Sequence, residues 1–248
     1  MSTLRLTDGA VTDGVLVLGL SFNPNKDSAL TIETGNLTLD SRSLLAQLKE
    51  MGATGKFDEV IKIPGTRTKL ILFTGLGATQ KEYPHEILRR AAGAAARSLA
   101  GSLEATFALP TASIESLSAI AEGAALGAYA FDEFRGSTKS ERKLPLKTIA
   151  IHSKFSKKVE AKSALKRVQV IAQYTHLVRD LINTPPSHLT PDTFTKKIAA
   201  AVKTLGGSSS ALKVNVLNEK QLKSGGYGGI IGVGQGSCLL YTSDAADD

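Results

Sequence analysis

Residues 159–191 read VEAKSALKRVQVIAQYTHLVRDLINTPPSHLTP, and this stretch sets the architecture of the whole chain. Leu165, Val168, Ile171, Ala172, Tyr174, Leu177 and Leu181 fall on one broad apolar face, which predicts a single helix from about Val159 to Asn183. Pro185 and Pro186 must end it, because proline has no amide hydrogen and disfavours helix in the residue before it. A helix of this length runs about 36 Å at 1.5 Å per residue, enough to carry the chain from one domain to the next. Asn183 and Thr184 can hydrogen-bond backbone groups at the break. Beyond it, Thr190-Pro191-Asp192 reads as an N-cap with proline at the first helical position, opening a helix that ends near Gly206-Gly207.

Upstream, short apolar runs alternate with helical patterns. Val15 to Leu20 has the length of a strand, and Asp40 or Ser41 can cap a helix carrying Leu44, Leu45, Leu48 and Met51. Strands are expected at Phe57 to Ile63 and at Lys69 to Thr74, reversed by Pro64-Gly65-Thr66. An Ala-rich helix from Pro84 to Leu99 follows, then a strand at Ala105 to Leu109 and a helix from Ser113 to Phe131. A further strand is expected at Thr148 to Ile151, and the alternation predicts a three-layer α/β/α domain. Downstream, Lys213 to Leu217 reads as a strand and residues 219–237 are Gly-rich, the opening of a second α/β domain. The boundaries expected are a first domain at 1–158, a connecting helix at 159–184, and an incomplete second domain at 185–237.

Hydrophobic residues make up 42% of the 248, enough for a globular core, while 5% aromatics and no Trp exclude an aromatic-rich binding module. The net charge of +7 permits attraction to polyanions. The opening residues lack a basic segment followed by an apolar core, and Glu122 interrupts the longest Ala-rich run, so a soluble, cytoplasmic protein without membrane association is expected. Cys238 is the one cysteine, which excludes an intrachain disulfide and thiolate clusters. It opens residues 238–248, CLLYTSDAADD, which add three acidic groups and no basic ones. This string resembles the translation of a transposase sequencing adapter at all eleven positions, so a non-native tail beginning after Ser237 is expected.

Motifs that carry chemistry are scarce. Gly75-Leu76-Gly77 follows a strand and precedes a helix, but Gln80 stands where a dinucleotide fingerprint needs its third glycine. Gly232-Val233-Gly234-Gln235-Gly236 also lacks that spacing, and no Lys-Ser/Thr pair follows to make a phosphate loop. His85, His152, His176 and His188 occur singly, and His85-Glu86 is not completed into a helical zinc motif. No Gly-x-Ser-x-Gly elbow is present. No catalytic, cofactor-binding or metal-binding residue is assigned from the sequence. The strongest charge bias lies between Lys139 and Arg167, where ten basic residues face only Glu141 and Glu160. It reads as a solvated surface or a phosphate-binding stripe, with Phe155 the sole aromatic for base stacking.

The segment Arg179 to Pro191 closely resembles the joint between the two domains of the leucyl aminopeptidase family. Also similar are Gly75-Leu76-Gly77 followed by the helix Arg89 to Ala96, the run Glu122 to Phe131, and Gly232 to Ser237. These landmarks keep the family's order. The resemblance implies a macro-like N-terminal domain, a connecting helix and a C-terminal catalytic domain, assembled as a hexamer. It implies release of N-terminal amino acids from peptides, with two divalent ions, manganese or zinc, activating a water. The family's metal ligands and catalytic Lys and Arg lie beyond the Gly232 to Ser237 landmark, and residues 185–237 offer only Asp192 and Glu219 as acids. The chain is therefore expected to be an inactive fragment, cut before its active site and binding no metal. The rival expectation is a free-standing macro-like module for nucleic acid or an ADP-ribose-type ligand.

Overall fold

A computed structural model describes residues 2–9, 11, 14–26, 29–206 and 213–236, and divides the chain into two compact units, Met1–Arg179 and Asp180–Asp248. The division falls inside the helix predicted from residues 159–183.

Unit 1 is built on a seven-stranded mixed sheet in the order β1-β7-β6-β2-β5-β4, with β3 added to β2. The strands are β1 (Thr3–Thr7), β2 (Val15–Asn23), β3 (Ala29–Glu33), β4 (Val60–Pro64), β5 (Leu70–Ala78), β6 (Glu104–Ala108) and β7 (Thr148–His152). β1, β7, β6, β2 and β5 run parallel, while β3 and β4 are antiparallel to their neighbours. The first half of β2, Val15 to Leu18, pairs with β6, and its second half, Gly19 to Asn23, pairs with β3. Successive side chains of β2 point to opposite faces, so Val17 joins one core and Leu16, Leu18 and Leu20 the other. A strand buried on both faces reads as a continuous apolar run, which is how VLVLGL appears.

One face of the sheet is covered by α2 (His85–Ser98), α3 (Ile114–Gly127) and the first part of α4 (Val159–Asn183), which bring Leu88, Ala92, Leu117, Ile120, Ala161, Leu165 and Val168 onto it. The other carries α1 (Arg42–Glu50) through Leu48, together with Leu30, Leu37 and Leu39. α3 is capped by Ser113, whose hydroxyl accepts from Ser116 N while Ser116 Oγ accepts from Ser113 N. A 3-10 turn at Ser137–Glu141 lies in the exposed basic connection to β7.

The sheet departs from the expected strands in three ways. β1 and β3 were not expected. β4 begins at Val60 rather than Phe57, because the Glu59 carboxylate turns back to accept from the Thr54 and Gly55 amides at 3.0 and 2.6 Å. β5 continues past Thr74 through both glycines, with Leu76 left as the extra residue of a bulge opposite Leu20 and Ser21.

Unit 2 holds the end of α4, α5 (Pro191–Gly206), α6 (Glu219–Ser224) and α7 (Gly228–Gly234). Thr190 opens α5 as predicted, its Oγ1 accepting from Thr193 N at 3.3 Å while Thr193 Oγ1 accepts from Thr190 N at 2.8 Å. The strand expected at Lys213 to Leu217 does not form: residues 213–217 are exposed and join no sheet among the described residues. Alternating valines supply strand propensity, but a strand needs a neighbour for its backbone groups. Leu212, Ser237 and the tail 238–248 lie outside the described residues.

Candidate functional site

The landmark residues of unit 1 converge on one structural assembly. α2 and α3 cross where Gly93, Gly123 and Gly127 face each other. A Cβ on Gly123 would stand 2.0 Å from the Arg89 carbonyl oxygen, and one on Gly127 2.3 Å from that of Gly93. The missing side chains let the two backbones touch. Beside the crossing, Arg89 Nη2 pairs with Glu122 Oε2 at 3.0 Å, tying the two helices together. Arg179, the first residue of the joint motif, donates from Nη1 to the Leu126 carbonyl at 2.8 Å and lays its guanidinium 5.2 Å from the Tyr129 ring centre. His176 packs against the same ring with centroids 5.1 Å apart. Sequence reading found these residues but not their meeting, since 53 positions separate Arg179 from Leu126.

Gly75 and Gly77 are committed to the fold in the same way. Their amides donate to Glu59 O at 2.9 Å and Gly55 O at 2.8 Å. A Cβ on Gly75 would lie 1.7 Å from the Lys56 carbonyl oxygen, and Gly77 holds a φ of +79° beside the Phe57 ring. Amides already bonded to a loop of the chain cannot also cradle a phosphate, so the near-fingerprint is a clasp between β5 and residues 55–59. Gly232 and Gly236, in and after α7, have open space around them.

In open α/β sheets ligands gather at the carboxyl ends of the parallel strands. Here that edge is lined by hydroxyls that satisfy one another. Ser21 Oγ, at the end of β2, donates to Glu33 Oε1 at 2.9 Å and meets Thr79 Oγ1, just past β5, at 2.9 Å; Tyr83 OH donates to the same Glu33 oxygen at 2.8 Å. Burial, together with the Glu33 carboxylate beside it, pushes the Tyr83 phenol up to about 12. Farther along, Ser153 Oγ donates to Thr111 Oγ1 at 3.1 Å, and Thr111 also accepts from Asn36 Nδ2 at 3.4 Å. Residues 34–36 lie across the end of β6 so closely that a Cβ on Gly35 would stand 2.5 Å from the Leu109 carbonyl oxygen. The chain's own segment occupies this edge, which disfavours the free-standing binding module. No local motif could have revealed the network, whose members are drawn together by strand order alone.

His152, at the end of β7, is 5% exposed, and burial holds its imidazole below the ordinary histidine value, partly offset by Asp8. Asp8 is bonded by Lys157 at 3.0 Å, which lowers its carboxyl. His85 is exposed in the first turn of α2, and His188 Nδ1 lies 3.0 Å from Ser187 Oγ. At the opposite, amino edge of the sheet a cavity of about 600 Å³ is lined by Arg5, Thr7, Lys69, Glu104 and Thr106, among others. Arg5 and Glu104 are ion-paired across it.

Unit 2 places Thr184 Oγ1 on the Asp180 carbonyl at 2.6 Å, where it closes the last turn of α4 before Pro185. Asp192 pairs with Lys196 at 2.6 Å within α5, and Glu219 stands in the exposed first turn of α6. Among the described residues no three His, Cys, Asp or Glu side chains converge as a metal cage would require.

Comparison with known proteins supplies what local geometry does not. Residues 22–138 match the Cytosol aminopeptidase family, N-terminal domain, and residues 176–243 match the Cytosol aminopeptidase family, catalytic domain. The chain is 37% identical to a probable cytosol aminopeptidase of Streptomyces avermitilis, aligning over 99% of its own length and 52% of that protein's. It is 42% identical to one from Streptomyces griseus, over 82% of this chain and 43% of the relative. The chain thus spans about half the length of these curated relatives. Among solved structures, a variant of tomato leucine aminopeptidase superposes with a TM-score of 0.63 at 22% identity, over 90% of this chain and 46% of that one. The bottromycin maturation enzyme BotP does so with 0.66 at 23%, over 91% and 44%. At such identities the likeness establishes the fold alone.

The catalytic-domain match overturns the expectation of an inactive fragment. It runs from residue 176, inside α4, to residue 243, six positions into the segment expected to be foreign. Residues 176–243 are therefore catalytic-domain sequence, and the expectations that the second domain is incomplete, that the chain stops before its active site, lacks catalytic and metal-binding residues and takes no metal do not stand. Those expectations rested on placing the family's ligands beyond Gly232 to Ser237 and on counting carboxylates in residues 185–237, and a count along the chain does not measure a site assembled in three dimensions.

Proposed function

Since the chain belongs to the cytosol aminopeptidase family, we propose that the protein carrying it is a metal-dependent aminopeptidase that removes N-terminal residues, leucine among them, from peptides. The observation that carries this reading is the pair of family matches, N-terminal domain then catalytic domain, in chain order along 248 residues. Two divalent cations, manganese or zinc, would supply Lewis acidity and a water nucleophile when bound. In this reading α4 links the two domains, its first part packed on the N-terminal core through Ala161, Leu165, Val168 and Ala172 and its later part tied to the end of α3 by Arg179. The partner is a peptide with a free α-amino group, the assembly a homo-hexamer and the setting the cytoplasm. No helix among the described residues is long and apolar enough to cross a membrane.

The test is hydrolysis of leucyl p-nitroanilide by the protein carrying this sequence, supplied with manganese or zinc. Turnover is expected to need the free amine, to vanish with chelator and to return with metal. Equal cleavage of N-acetyl-leucyl p-nitroanilide, or no metal-dependent release, would overturn the reading.

A further inference from the structure

The fold sorts the ten basic residues between Lys139 and Arg167. Arg142 is ion-paired with Asp132 and donates to the Phe131 carbonyl at 3.1 Å, and Lys157 is taken by Asp8. Lys154, Lys158, Lys162 and Lys166 have no carboxylate at ion-pair distance among the described residues, and all four are exposed. α4 buries Ala161, Leu165, Val168 and Ala172, which leaves Lys158, Lys162 and Lys166 in a row on its solvent flank at four-residue spacing. Lys162 N already donates to Lys158 O at 3.2 Å, so the spacing is helical from the first member. Lys154 joins the row at its start: the Lys154 and Lys158 ammonium groups lie 5.2 and 5.1 Å from the Phe155 ring centre. The helical part of the row rises about 12 Å at 1.5 Å per residue, roughly three to four base-pair steps of duplex at 3.4 Å each.

Like charges four residues apart weaken a helix, and a polyanion laid along the row would relieve that repulsion. We propose that this lysine row on α4 binds the phosphate backbone of duplex nucleic acid without reading its sequence. Duplex is favoured over single strand because Phe155 is the only aromatic among these residues and is half-buried against the core, with a lysine ammonium on either side. It offers no open face for base stacking. Val159 and Val170 are exposed beside the row, but Ser163, Gln169 and Gln173 separate them into isolated apolar positions rather than a continuous face for an anionic membrane surface to take up.

The experiment is fluorescence anisotropy with two short labelled duplexes of unrelated sequence, with phosphatidylserine vesicles as a second arm. Equal binding to both duplexes is expected. Four phosphate contacts predict a slope of about −3.6 in log affinity against log salt, a loss of roughly 100-fold between about 50 and 200 mM. Lys162→Glu with Lys166→Glu should weaken binding at least tenfold at about 50 mM salt and make the slope shallower by about 2. Lys26→Glu with Lys49→Glu, the same change in net charge placed elsewhere on unit 1, should leave the affinity within about twofold, with a thermal melt confirming that both variants fold. No duplex binding at about 50 mM salt, equal loss in the two variants, strong preference for one duplex, or capture by vesicles alone would each overturn the proposal.

Discussion

At the scale of single residues, His152 makes a clear statement about pH. Its imidazole is almost fully buried at the end of β7, with Asp8 and, through Asp8, Lys157 as its charged neighbours. Burial lowers its proton affinity in the fold, so just below the ordinary histidine value of about 6.5 the unfolded chain binds more protons than the folded one. Stability from this group is therefore complete above that value and is lost as pH falls toward the lower folded-state value. In urea unfolding the midpoint should drop from pH 7 to pH 5, and His152→Asn should flatten that dependence. An unchanged pH slope in the variant would place the titrating group elsewhere. Residues such as this were poorly legible in the sequence. A lone histidine at the end of an apolar run carries no mark of its burial, and Ser21, Glu33, Thr79 and Tyr83 share one network only because strand order places β3 beside the end of β2. Arg179 and Glu122, by contrast, were visible as members of family-like runs, though not as members of one assembly.

At the scale of elements, local chemistry was legible and pairing was not. Pro185-Pro186 and Thr190-Pro191 act on their immediate neighbours, so the end of α4 and the start of α5 could be read directly. β1 and β3 are five-residue strands whose apolar positions are too few to stand out, and residues 213–217 alternate without acquiring a partner. What the sequence could not show is distance, and the α2/α3 crossing illustrates this. Alanine is better than glycine in a helix by about 1 kcal/mol, so propensity favours Gly123→Ala. The crossing argues the reverse, because the new methyl would stand 2.0 Å from the Arg89 carbonyl oxygen. Overpacking of this kind costs typically 1–3 kcal/mol or more, and the net change should be a lower urea midpoint. Gly136→Ala, with nothing within 4 Å of the added Cβ, serves as the neutral comparison. A stabilised Gly123→Ala protein would show that the helices do not cross this closely.

At the scale of the whole molecule, both hydrophobic clusters lie within unit 1, their last member being Ala172. A unit that contains its own core can fold alone. Residues 1–179 expressed separately should therefore melt in one cooperative transition by circular dichroism, and a broad, non-cooperative melt would show that the rest of the chain is needed to complete the core. The division between units was only partly foreseen. The long helix was expected to stand between domains, yet compactness assigns most of it to the first, because its apolar face is spent on the sheet.

The order of the sheet has one more implication. Its strands with a single neighbour among the described residues, β1, β3 and β4, are each only five residues long, and β1 and β4, at the two ends of the order, carry Arg5 on one side and Lys62 and Pro64 on the other. A flat, apolar border would invite foreign strands to dock and extend the ladder, whereas short borders bearing a guanidinium, an ammonium and a ring without an amide hydrogen discourage such accretion. The molecule can thus keep a strongly apolar centre in β2 and β5 without becoming a template for fibrils.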